Sequence, residues 1–163
     1  MKHIITALVE NQPGVLARVV GLISGRGYNI ESLSVGPTHE TGISRIIMQV
    51  PGDDRVLEQV TKQLNRLVDV IQVTDLTTKP LLHRELVLVK VSAPPDRRDA
   101  ILKMAQNAGA TVVAEEPNAL TLQIIGEQAA VAVCIERLKS CSILDLARSG
   151  IIALARNGAA CPG

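Results

Sequence analysis

Three observations along the 163 residues predict an α+β protein made of two consecutive βαββαβ units. Apolar runs with strand character alternate with stretches of helical periodicity in the order strand, helix, strand, strand, helix, strand. The same order begins again after Thr77-Thr78-Lys79-Pro80. Pro or Gly marks most of the boundaries. Chain chirality resolves each unit as a four-stranded antiparallel sheet with both helices on one face, a ferredoxin-like arrangement.

The first run, His3 to Glu10, carries Ile4, Ile5, Ala7, Leu8 and Val9, the pattern of a strand covered on both faces. Such a strand is central or lies at an interface. The chain then turns through Asn11-Gln12-Pro13-Gly14, where Asn11 can cap a helix, Pro13 sets φ, and Gly14 lets another molecule approach the free backbone N–H groups. Those groups attract an anion such as a carboxylate. An ordinary strand-to-helix turn would use the same residues. Val15, Leu16, Val19, Val20 and Ile23 recur at helical spacing, and Gly25-Arg26-Gly27 supplies a stop.

Tyr28 to Val35 reads as a second strand, residues 36–42 as a loop, and Ile43 to Val50 as a third strand with Ile46, Met48 and Val50 on one face. Strands two and three make a hairpin. Pro51-Gly52-Asp53-Asp54 turns into a helix striped by Val56, Val60, Leu64 and Leu67, and Asp69 to Leu76 closes the unit. One face of this sheet has no helix over it. The apolar residues on both faces of the first strand therefore point to burial against another sheet or subunit.

In the second unit Arg84 to Ala93 is a strand with Val87, Val89 and Val91 alternating. Pro94-Pro95-Asp96 opens a helix carrying Ala100, Ile101, Met104 and Ala108, and Gly109 ends it. Val112 to Glu115 and Ala119 to Ile125 pair across Pro117-Asn118, with Leu120, Leu122 and Ile124 facing inward. Gln128 to Lys139 is helical through Val131, Cys134, Ile135 and Leu138, and Ile143 to Arg148 is the last strand. The apolar run Ile151 to Ala155 is either partner contact or a final buried strand, and burial is favoured. The division is thus a first domain over 1–76, a linker over 77–83 and a second domain over 84–163.

Composition excludes several function classes. With no Trp, no Phe and Tyr28 as the single aromatic, the chain lacks the stacking platforms used on single-stranded nucleic acid. A net charge of +1 provides no basic stripe for phosphates, so nucleic acid is not expected as a partner. No apolar run approaches the roughly 18–20 residues of a membrane span, and Met1-Lys2-His3 leads straight into a strand, so no membrane partner and a cytoplasmic location are expected. Cys134, Cys141 and Cys161 are odd in number and lack metal-ligand spacing. They are read as reduced thiols, with Cys134 in the core.

No catalytic constellation or metal site is found. His3, His39 and His83 have no Cys, Ser or Asp neighbours arranged as a metal site or triad and are read as solvated polar surface. Gly25-Arg26-Gly27 follows a helix, the wrong context for a phosphate cradle. Glu115 and Glu116 are adjacent on a strand and point to opposite faces.

Asn11-Gln12-Pro13-Gly14-Val15-Leu16 after a first strand resembles the opening of an ACT domain, the small-molecule-sensing module of amino-acid metabolism. Further segments extend the likeness: Arg26-Gly27-Tyr28-Asn29-Ile30-Glu31-Ser32-Leu33, Ser44-Arg45, Lys62-Gln63-Leu64 and Leu67-Val68-Asp69-Val70. With Arg84-Glu85-Leu86, Val89-Lys90-Val91 and Ala147-Arg148-Ser149-Gly150, the chain is similar over residues 3–156 to the small regulatory subunits of acetolactate synthase (acetohydroxyacid synthase). Residues 157–163 match no pattern and are assigned nothing.

The resemblance implies an N-terminal ACT domain, a C-terminal ACT-like domain, and a chain that is not an enzyme by itself. It would bind and activate a large catalytic subunit and confer feedback inhibition by valine or a related branched-chain amino acid. Thiamine diphosphate, magnesium and FAD would sit on that partner, with no cofactor in this chain. Homodimers through the ACT domains would place the effector between Asn11, Gly14, Val15 and Leu16 of one subunit and Asn29 and Ile30 of the other. The N–H groups of Gly14, Val15 and Leu16 would hold the carboxylate, oxygens of Asn11 and Asn29 the ammonium, and Leu16 and Ile30 the branched side chain. Turn capping by Asn29 and core packing by Ile30 are the plainer roles for those residues. The alternative is a free-standing ACT-domain regulator of a different metabolic enzyme.

Overall fold

The strand that organises the first half is β1 (Lys2–Glu10), which pairs antiparallel with β3 (Ile43–Pro51) on one side and β4 (Val70–Asp75) on the other. β2 (Ser32–Pro37) lies outside β3, so the sheet order is β2-β3-β1-β4. The computed structural model describes residues 1–156; the unassigned tail and Cys161 lie outside them.

The register sets Ile5 opposite Met48 and Ala7 opposite Ile46. These residues, with Val9 and Val50, form one core with Val15, Val19 and Ile23 of α1 (Val15–Ser24) and Val60 and Leu64 of α2 (Asp54–Leu64). Strand alternation puts the odd residues of β1 toward both helices, and helical spacing turns one stripe of each helix down onto them. Asp53 caps α2, its Oδ1 accepting the Val56 N–H at 3.0 Å.

On the opposite face of the same sheet, Ile47 joins Leu76, Ile151 and Ala153, with Ile4, Leu81 and Ala155 against them. The terminal apolar run is therefore only half buried: Ile152 and Leu154 are 57% and 59% exposed. A strand with period-two alternation offers only one face to a core. The Ser32 hydroxyl also accepts the Ile151 N–H at 2.9 Å.

In the second half, β5 (Leu81–Ser92) pairs with β7 (Ala119–Gly126), and β6 (Thr111–Glu116) and β8 (Ile143–Ala155) complete the order β6-β7-β5-β8. α3 (Arg98–Asn107) and α4 (Gln128–Leu138), followed by a 3₁₀ turn at Lys139–Cys141, supply the helical layer. Val87, Val89, Val91, Leu120, Leu122 and Ile124 meet Ile101, Ala105, Val131, Cys134 and Leu138 in its core. Burial pushes the Cys134 thiol up from its ordinary pKa, against a smaller lowering by Arg137. Two compact units result, His83–Gly150 and Met1–Leu82 together with the strand end from Ile151. Leu81 and Leu82, in the expected linker, already belong to β5.

Three local expectations are corrected. The second strand begins at Ser32 rather than Tyr28, because the end of α1 is still unwinding there. Gly27 takes φ +77°, and the Tyr28 N–H reaches back to the Ile23 carbonyl at 3.3 Å. Asn11 does not cap α1; Gly14 holds the cap position with φ 84° and no side-chain cap. His3 is not solvated surface but fully buried, on the helix-facing side of β1 opposite Val50. Neither of its ring nitrogens has a hydrogen-bond partner among the described residues, and the same holds for His83 Nδ1. His39 is exposed.

Candidate functional site

The turn at residues 10–14 is held by main-chain bonds from three directions. The Glu10 N–H donates to the Asp69 carbonyl at 2.9 Å, the Asn11 N–H to the Gly42 carbonyl at 2.7 Å, and the Gln12 N–H to the Glu10 carbonyl at 3.0 Å. The chain then enters α1 through Gly14 in the left-handed region, a conformation disfavoured for other L-residues. This turn is built from backbone, with its side chains left over for other work.

Helix geometry leaves the first N–H groups of α1 without intrahelical acceptors. The Val15 N–H is committed to the Gln12 carbonyl at 3.3 Å, whereas Gly14 and Leu16 have no acceptor for theirs among the described residues. No acidic side chain lies in the first turn. Positive potential at this end is therefore not neutralised by an aspartate or glutamate of the helix itself. Asn11 and Gly14 are exposed and Leu16 is 40% exposed, while the Val15 side chain is buried in the core.

A side chain that sequence reasoning missed shares this corner. Arg18, one turn into α1, bends back so that its Nη1 lies 3.3 Å from the point a Cβ on Gly14 would occupy. Its Nε and Nη2 both contact Asp69 Oδ2, at 2.8 and 2.7 Å. The i, i+4 spacing of Gly14 and Arg18 was the available signal, since helical side chains lean toward the N-terminus. Nothing in the local sequence identified Asp69 as the partner, 51 positions away.

Asn29 is exposed just beyond the C-terminal end of α1, and Ile30 is half-buried against the core. The ten residues of α1 separate this segment from Gly14 by a helix roughly 15 Å long. One chain does not bring the two groups together. A small molecule touching both would need the second group from another chain.

Among the described residues no group of three or more His, Cys, Asp or Glu side chains is placed to hold a metal ion. No helix among them is long and apolar enough to cross a membrane.

Comparison with known proteins places both halves. The family described as AHAS small subunit-like ACT domain matches residues 5–72, and that described as small subunit of acetolactate synthase matches residues 84–157. The chain is 49% identical over 156 residues to the acetolactate synthase small subunit of Aquifex aeolicus, covering 95% of this chain and 81% of that one. It is 38% identical over 157 residues to the acetolactate synthase isozyme 3 small subunit of Escherichia coli, covering 96% of each. The crystal structure of the acetolactate synthase small subunit from Thermotoga maritima superposes with a TM-score of 0.86 at 31% identity, covering 98% of this chain and 99% of that one.

Proposed function

The chain belongs to the acetolactate synthase small-subunit family, and from that premise we propose that it activates a catalytic large subunit and makes it sensitive to valine. Catalysis rests with the large subunit, which carries thiamine diphosphate, magnesium and FAD. The small subunit works in the cytoplasm as a homodimer joined through its N-terminal domains. The effector lies across that dimer, with its carboxylate at the Gly14 and Leu16 N–H groups, its ammonium on oxygens of Asn11 and the partner subunit's Asn29, and its branched side chain against Leu16 and the partner subunit's Ile30.

The observation that carries this reading is the separation of the two residue groups at opposite ends of α1, with both groups accessible. A ligand bridging two chains binds one arrangement of those chains better than another, and differential affinity is the only means by which it can shift their equilibrium. A coupling of about 1–3 kcal/mol corresponds to roughly 5- to 150-fold regulation.

The test is acetolactate formation by the cognate large subunit, with and without this protein, across a valine titration. Activation that valine reverses is the expected result. Activation without valine sensitivity would keep the partner and remove the effector assignment. Absence of activation would leave a free-standing ACT-domain regulator of a different enzyme.

A further inference from the structure

We propose that Arg18, clamped by Asp69, is a specificity-determining residue of the amino-acid site and contributes a guanidinium N–H to the effector's carboxylate. The inference rests on the effector site proposed above and names a contact that the turn residues alone do not provide.

The geometry carries it. Arg18 Nε and Nη2 are both engaged by a single oxygen, Asp69 Oδ2. That engagement fixes the plane of the guanidinium and leaves Nη1 directed at Gly14, 3.3 Å from where a Cβ would stand. Nη1 has no partner of its own among the described residues. Gly14 is left-handed and has no side chain, so this cation stands directly against its bare backbone, at the corner where the effector's carboxylate is proposed to lie.

The electrostatics run the same way. A cation folded back over a helix N-terminus opposes the helix dipole, so the position is unfavourable unless an anion offsets it. Asp69 offsets part of it, with its side chain only 15% exposed, and its main-chain carbonyl also holds Glu10 at the start of the turn. One residue therefore positions both the backbone of the site and its guanidinium. A bound carboxylate would meet two kinds of donor at once, backbone N–H and a charge-assisted guanidinium N–H, whereas a neutral carboxamide could still accept from the guanidinium but would lose the attraction between opposite charges.

This difference defines the experiment. Full-length protein is titrated calorimetrically with L-valine and with L-valinamide at about pH 6.5, where both ligands keep their ammonium charge. Wild type is expected to prefer valine. Arg18→Gln should weaken valine roughly tenfold and valinamide clearly less, narrowing the preference. Arg18→Lys should recover part of the preference, and Asp69→Asn should reduce it by releasing the guanidinium. Thermal unfolding of each variant identifies any general loss of fold.

An equal loss for both ligands in Arg18→Gln would make Arg18 a structural residue and overturn the inference. An unchanged valine affinity would overturn it too, with the effector site left standing. Failure of wild type to bind valine at all would remove the effector site and this inference with it.

Discussion

Arg148 grips Glu85 across β5 and β8 with two parallel hydrogen bonds, Nε to Oε1 and Nη2 to Oε2, each 2.7 Å long. Glu85 is 3% exposed and Arg148 is 43% exposed, so the carboxylate depends on the arginine far more than the reverse. Removing the cation strands a buried charge. Arg148→Ala is therefore expected to cost about 2–3 kcal/mol, measured by urea unfolding, while the double replacement Glu85→Leu with Arg148→Leu should recover most of that loss. The hydrogen bond to Glu85 raises the Arg148 pKa, ahead of the opposing effect of burial. Since a raised pKa of a base stabilises the fold below its unfolded value and fails only as pH rises through the folded one, this contribution should not be lost between neutral and moderately alkaline pH.

Gly14→Asp would set a carboxylate where the effector's own is proposed to lie, within reach of Arg18 Nη1. Asp tolerates the left-handed region better than most residues, so the backbone penalty should stay near 1 kcal/mol. Valine inhibition of the reconstituted enzyme should vanish while activation persists. Loss of both would mark the variant as misfolded and give the site no support.

His3 is buried with both ring nitrogens unpaired among the described residues. Replacing an unsatisfied polar side chain by an apolar one of similar volume removes a desolvation cost. His3→Leu should raise stability by about 1 kcal/mol in equilibrium denaturation; a clear loss of stability would show that the imidazole has a partner in the assembled protein.

The Cys134 thiol is 3% exposed and its pKa is raised by burial, which lowers the fraction present as reactive thiolate. In native protein at about pH 8, iodoacetamide should leave the peptide containing Cys134 unmodified, as followed by mass spectrometry. Modification should appear only with urea sufficient to unfold the second unit. Rapid labelling in buffer would contradict the packing of α4 against its sheet.

Element order and type were legible because they depend on local periodicity. The stripe of Val15, Val19 and Ile23 predicts α1 whatever it packs against, and Ile46, Met48 and Val50 predict which face of β3 is buried. The family segments were likewise legible, since they are stretches of contiguous residues. Boundaries were less so. Tyr28 to Glu31 is apolar enough for a strand, but the ladder starts only where the Glu31 N–H meets the Gln49 carbonyl at 2.9 Å. At Asn11 the local capping preference is not used, because the helix starts later and Gly14 takes the cap position.

The chain by itself therefore determined the two βαββαβ units, their core stripes, the turn at Gly14 and the family to which these segments point. Tertiary structure alone decided which side chains surround that turn. Asp69 reaches Arg18 from 51 positions away, and Ser32 meets Ile151 from 119. The physical reason is that periodicity records which face of an element is buried, whereas long-range partners depend on strand order and register, which no local segment encodes.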